Sequence, residues 1–95
     1  MNFEHYLNLH KSGQLIEAEK GYRFLLKKRK INSKIFTGLG LICNQTGREN
    51  ESVNFFKKAL KVNPQDEIAL NNLGLIFFKN KKHKEAKECF LDAIK

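Results

Sequence analysis

The stretch NNLGLIFF, Asn71 to Phe78, sets a glycine in the middle of an apolar run. A glycine inside a helix costs about 1 kcal/mol relative to alanine, so Gly74 is expected where a side chain would be in the way. Sliding the chain along itself by 34 residues lays Gly74 on Gly40. The same shift aligns Glu17, Glu51 and Glu85; Ala18, Ser52 and Ala86; Tyr22, Phe56 and Phe90; and Leu26, Leu60 and Ile94. In the earlier part of each unit, Leu7 aligns with Leu41 and Leu75, and Leu9 with Cys43 and Phe77. The chain is a repeat, and a period of this length is the mark of stacked structural units.

Each unit holds two segments whose apolar residues recur at spacings of three and four, the period of an amphipathic helix. The helices are predicted over 2–12 and 14–28, 33–46 and 49–62, and 66–79 and 82–94. Within the units the turns are SGQ, TGR and NKK, and the glycine of the first two suits a left-handed C-cap. Between the second and third units, Pro64 of NPQD ends one helix and can open the next. No linker divides the chain, so residues 1–95 form one domain with units at about 1–32, 33–66 and 67–95. The first unit is degenerate and the third incomplete.

Leu70, Leu73-Gly74, Phe77, Ala86 and Phe90 in the third unit, and Phe36, Leu39-Gly40, Cys43, Ser52, Phe56, Ala59 and Pro64 in the second, resemble the tetratricopeptide repeat. The first unit keeps Gly13, Glu17-Ala18 and Tyr22 but has His5-Tyr6 in place of Leu-Gly and Lys30 in place of the proline. The resemblance implies an all-α, right-handed superhelical array of helix-turn-helix repeats, an α-α solenoid. Stacking is also what the physics requires, because one helical hairpin cannot bury its own apolar face. Ala18, Ser52 and Ala86 are expected opposite Tyr6, Gly40 and Gly74, with Gly74 packed on Ala86. Tyr22, Phe56 and Phe90 are expected to fill the seam to the next helix.

The resemblance further implies a concave groove, lined by the first helices, that takes a peptide or partner helix. By repeat position its face is Leu7, His10 and Lys11; Thr37, Leu41, Asn44 and Gln45; and Asn71, Asn72, Leu75, Phe78 and Lys79. Amide side chains there can pair with both N–H and C=O groups of an extended peptide, while the leucines and Phe78 hold apolar side chains. Some family members grip the acidic C-terminus of chaperones with lysines, an arginine and asparagines. The matching positions here hold Phe3, Leu7, Gly38, Ile68 and Asn72, so that clamp is not expected. An asparagine ladder like that of the N-acetylglucosamine transferase arm would need Asn at Gly38 and Asn72 and has only the second.

Composition narrows the remaining classes. At 41% hydrophobic and 29% charged, the 95-residue chain is too apolar for a disordered tail, and its apolar runs are too interrupted to span a membrane. No secretory signal opens it, and Cys43 and Cys89 sit singly in apolar helical patterns, as packed thiols in a reducing, cytoplasmic setting would. His5, His10 and His83 lack metal-ligand spacing, no Gly-rich phosphate loop occurs, and Glu17, Glu51 and Glu85 recur as helix-start residues. No catalysis, metal or cofactor is expected. The net charge of +8 and the runs KKRK (27–30) and KNKKHK (79–84) raise a nucleic-acid partner as an alternative. Both runs lie at helix ends, where cations suit the dipole, and neither interleaves an aromatic, so neither nucleic acid nor membrane is the expected partner. Phe78, Phe90, Leu91 and Ile94 have no following unit to cover them, which leads to two expectations: self-association through that face, or a longer array of which this is the N-terminal part. A protein-interaction scaffold is the leading expectation, with the repeat arm of a larger transferase-type enzyme as the alternative.

Overall fold

A computed structural model describes residues 2–95. Six helices follow one another: α1 Phe3–Lys11, α2 Leu15–Lys27, α3 Ser33–Gln45, α4 Glu49–Val62, α5 Glu67–Lys79 and α6 His83–Ala93. No strand occurs among the described residues. The helices pair as hairpins, α1 with α2, α3 with α4 and α5 with α6, and the hairpins stack side by side into a body 40 × 25 × 20 Å across.

The period is written into the turns as well as the helices. Odd-numbered helices open on a side-chain cap: Asn2, Asn32 and Asp66 accept from the backbone N–H of His5, Ile35 and Ala69, satisfying donors that the first helical turn leaves without partners. Pro64 does not open α5. It sits in the turn after Asn63, whose extended backbone suits a residue before proline, and Asp66 starts the helix. Even-numbered helices have no side-chain cap. Instead, each hairpin turn closes on one bond, from the N–H of Gln14, Arg48 and Lys82 to the carbonyls of Leu9, Cys43 and Phe77, at 2.9, 2.7 and 2.8 Å. This bond closes a Schellman motif, which places the preceding residue in the left-handed region. Gly13 and Gly47 occupy it at φ 86° and 79°, and the third unit uses Lys81 at φ 63°.

Two apolar clusters fill the stack. Ala18, Tyr22, Leu25, Ile35, Leu39 and Ile42 join the first hairpin to α3, and Phe56, Ala59, Ala69, Leu73, Ile76 and Cys89 join the second hairpin to the third. Cys43 and Cys89 are both buried and free.

The helix pairing shows what Gly74 makes room for. A β-carbon there would lie 2.7 Å from the ring of Phe90, and one at Gly40 would lie 2.6 Å from the ring of Phe56. The nearest neighbour is thus the aromatic of the same hairpin and not Ala86; Phe56 lies over its own unit's glycine and also packs against Ala69 and Leu73 of the next unit, as expected of a seam residue. The small residue still matters in unit two, where the Ser52 hydroxyl donates to the Gly40 carbonyl at 2.9 Å.

Unit one reverses the arrangement. Tyr6 stands at the glycine position, and the space for its ring comes from Gly21 on the opposite helix, where a β-carbon would fall 2.0 Å from Tyr6. Tyr22, excluded from the place its counterparts occupy, reaches across to the next unit and lies on Gly38, where a β-carbon would be 2.7 Å from the ring. The first unit, degenerate by motif, is therefore packed by an exchange of large and small residues between its two helices.

Candidate functional site

The stacked first helices leave an open cavity of about 790 Å³ along one side. Its lining comes from α1, from α3 and from the turn that leads into α5, with Tyr22 of α2 contributing from behind. Five of the twelve residues expected on the groove face, Leu7, His10, Lys11, Thr37 and Leu41, line this cavity. Phe3, Gly38 and Ile68 join them, so four of the five positions checked for an acidic-tail clamp belong to the lining. All four are apolar or bare, and the cavity has an apolar floor where that clamp would have charge.

The polar groups of the cavity are held by one another. The Tyr22 hydroxyl is 3.3 Å from His10 Nδ1, and His10 Nε2 is 3.2 Å from Gln45 Oε1. Because the Gln45 oxygen can only accept, a neutral His10 donates from Nε2 and accepts the tyrosine proton at Nδ1. This chain ties α2, α1 and α3 together beside the groove. Tyr22 is wholly buried, and burial alone pushes its phenol up to about 12. Farther along, the buried Thr37 hydroxyl donates to Asp66 at 2.7 Å while the other Asp66 oxygen accepts from Ala69 N–H at 3.0 Å. One carboxylate thus caps α5 and pins it to α3. Glu4, Glu67, Lys11 and Lys34 complete a rim of mixed charge.

The remaining expected residues lie outside this cavity. Asn44 is exposed at the end of α3. On α5, Asn71, Leu75 and Phe78 are exposed, the last two at 59% each, and the Phe78 ring meets His83 edge-on at 5.3 Å. Asn72 is half-buried and its amide donates one N–H to the Ile68 carbonyl at 2.8 Å, which leaves its oxygen and one N–H for another molecule. Lys79 turns to Glu49 of α4 at 2.5 Å, and Asn80 donates to the same carboxylate at 3.0 Å. The Lys79 ammonium holds the Glu49 carboxyl below its usual range.

Sequence reasoning did not single out Tyr22 or Asp66 as groove residues. Tyr22 was absorbed into the core pattern, and only its displacement by Tyr6 carries it toward the cavity. Asp66 bore the signal of a helix cap, and its second partner, Thr37, lies 29 residues away. The clasp behind the groove was equally silent. Arg48 grips both oxygens of Glu19 at 2.9 and 2.6 Å, and Arg23 reaches Glu19 and Glu51 at 3.0 and 3.5 Å. The Arg48 hydrogen bonds hold the Glu19 carboxyl below the ordinary carboxylate range, against the opposing effect of its burial. Among the described residues no group of His, Cys, Asp and Glu side chains is arranged to hold a metal ion. No helix among those residues is long and apolar enough to cross a membrane.

Two family models match the chain, one described as TPR repeat over residues 40–81 and one as tetratricopeptide repeat over 68–95. The chain is 35% identical over 80 residues to the uncharacterized protein ycf37 of Pyropia yezoensis, covering 82% of this chain and 44% of that one. It is 27% identical over 82 residues to anaphase-promoting complex subunit 3 of Schizosaccharomyces pombe, covering 83% and 12%. It is 31% identical over 85 residues to the probable biofilm formation methyltransferase WspC of Pseudomonas aeruginosa, covering 90% and 20%. The chain thus spans less than half the length of each of these relatives.

Proposed function

Because the chain belongs to the tetratricopeptide repeat family, we propose that it acts as a protein-interaction scaffold and holds a segment of a partner protein in the cavity between α1, α3 and the start of α5. The observation that carries this reading is the cavity itself, about 790 Å³ with Phe3, Leu7, Leu41 and Ile68 as apolar contacts and hydroxyl, imidazole and carboxylate groups fixed among them. Apolar walls with a few placed polar groups are what a peptide site needs: the walls supply affinity and the polar groups orient the backbone. The site binds and does no chemistry. Tyr22, His10 and Gln45 are engaged with one another, as are Thr37 and Asp66, and each serves to hold helices together.

A capture experiment with two sets of substitutions tests this. Leu7→Lys with Ile68→Lys places charge on the cavity walls and is expected to abolish recovery of the partner. Altering Asn72, Leu75 and Phe78 together, on the exposed face of α5, is expected to leave recovery intact. Recovery lost only with the second set would move the site out of the cavity, and recovery unaffected by either would overturn the reading.

A second reading, the repeat arm of a larger transferase, is supported by the likeness to a probable methyltransferase of which this chain matches 20%. The coding sequence downstream of Lys95 decides it: a catalytic domain in frame supports the arm, and a stop codon removes it.

A further inference from the structure

The net charge, unremarkable along the sequence, is sorted by the fold. The first helices with their capping residues hold three cations, Lys11, Lys34 and Lys79, and three acids, Glu4, Asp66 and Glu67. The whole excess of +8 therefore falls on the second helices and the turns that join the helices. It is also concentrated there. No acid occurs between Lys20 and Arg48 or between Ser52 and Gln65. Lys27, Lys28, Arg29 and Lys30 at the end of α2, and Lys57, Lys58 and Lys61 at the end of α4, have no acid within ion-pair distance among the described residues.

The two groups form one edge. The half-buried Phe55 ring of α4 lies under the Arg23 guanidinium of α2 at 5.4 Å and under the Lys58 ammonium of its own helix at 5.6 Å, and with the Arg23–Glu51 and Arg48–Glu19 pairs it bridges α2 to α4 through side chains. Large apolar side chains stand exposed among the cations: Phe24, Ile31 and Val62, 46%, 52% and 46% accessible. The repeat continues the same edge at the end of α6 with Leu91 and Ile94, the latter 81% accessible.

We propose that this edge docks on an anionic lipid bilayer, with the lysines among the headgroups and Phe24, Ile31 and Val62 in the interfacial zone. Clustered lysines beside exposed apolar side chains supply the two signals that peripheral attachment requires, electrostatic attraction and apolar burial. Nucleic acid fits the edge less well. Phe55 is half-buried with two cations over its ring, and Phe24 carries the Lys28 ammonium at 5.5 Å, so both rings are already engaged where a base would stack. Only Arg29 of the seven free cations offers a bidentate phosphate contact, and Ile31 and Val62 have no counterpart on a sugar-phosphate backbone. None of the edge residues lines the cavity, so this inference stands independently of the peptide-binding reading.

Cosedimentation of the 95-residue chain with phosphatidylcholine vesicles, with and without phosphatidylserine, tests it. Binding is expected only to the phosphatidylserine vesicles and is expected to weaken with salt. Each lysine at a membrane surface is worth roughly a fivefold change in affinity, so Lys27→Glu with Lys61→Glu should lower binding by about 30-fold or more. Lys84→Glu with Lys87→Glu, the same charge change near the start of α6, should leave most of it. Phe24→Ser should weaken binding with no change in charge, and circular dichroism confirms that each variant is folded. The proposal is overturned by equal binding to both vesicles, by no binding at low salt, or by equal losses from the two charge-reversal pairs. It is also overturned if RNA or DNA at matched phosphate concentration binds more tightly and without regard to Phe24.

Discussion

Replacing Gly40 with alanine sets two effects against each other. Alanine in a helix interior gains about 1 kcal/mol over glycine. The new β-carbon would meet three atoms of the Phe56 ring at 2.6, 2.7 and 3.0 Å, and Phe56 is wholly buried, with nowhere to turn. Overpacking a closed core costs about 1–3 kcal/mol, so the clash outweighs the propensity gain and leaves a net loss of about 1 kcal/mol. In a domain of this size that lowers Tm by about 4–8 °C. The repeat supplies the control. At Gly74 the corresponding contacts to Phe90 are 2.7, 3.0 and 3.0 Å, but Phe90 is only half-buried and its ring can swing outward. Gly74→Ala is therefore expected to be close to neutral, while the bulkier Gly74→Leu still destabilises by about 1–3 kcal/mol. Urea denaturation of Gly40→Ala, Phe56→Leu and the double variant isolates the clash, which should appear as a favourable coupling of about 2 kcal/mol in the double variant. A higher Tm for Gly40→Ala, a larger loss at Gly74→Ala than at Gly40→Ala, or a coupling near zero would refute the account of helix pairing.

Three further outcomes follow from named contacts. Lys81→Gly should raise the urea midpoint, because a left-handed L-residue costs about 1–2 kcal/mol and glycine's extra unfolded-state entropy offsets only about half of that; no change would mean that Lys81 is unstrained. Arg48→Met removes the partner that depresses Glu19, so the wild-type stability that is present above the usual carboxyl value of 4.5 and lost as the pH falls below it should be smaller in the variant, seen as a flatter acid limb in pH-dependent melts. Tyr22 holds its proton more tightly folded than unfolded, so stability should fall as the pH rises from 10.0 towards about 12, and Tyr22→Phe should remove that fall while costing about 1 kcal/mol at neutral pH for the lost hydrogen bond.

The period, the six helices and the glycine turns were legible in the sequence because each repeats a local rule at a fixed distance. Gly13 and Gly47 announce a left-handed cap, but Lys81 performs the same role without the signal, held there by the same Schellman bond. The expected pairing of Gly74 with Ala86 went astray because alignment shows which positions are equivalent and not which one fills the space. Aromatic rings four residues farther along reach the glycine first. The Tyr6–Gly21 exchange lay beyond the pattern, since each residue departs from the motif and only together do they restore the packing. For the cavity, repeat position found Leu7, His10, Lys11, Thr37 and Leu41 on α1 and α3. It could not find Tyr22 and Asp66, which reach it through contacts between units. The run at 27–30 was visible in the sequence, but its association with Lys57, Lys58 and Lys61 depends on the side-chain bridges between α2 and α4.

The Tyr6–Gly21 exchange also fixes the order in which the units can be joined. Tyr22 projects into the neighbouring unit and needs a residue without a side chain to receive it, which Gly38 supplies. The equivalent position in the third unit is Asn72, whose side chain is already bound to its own helix. The first hairpin can therefore be followed by the second but not by the third, so this array has a built-in address at its first joint and its units are not interchangeable modules.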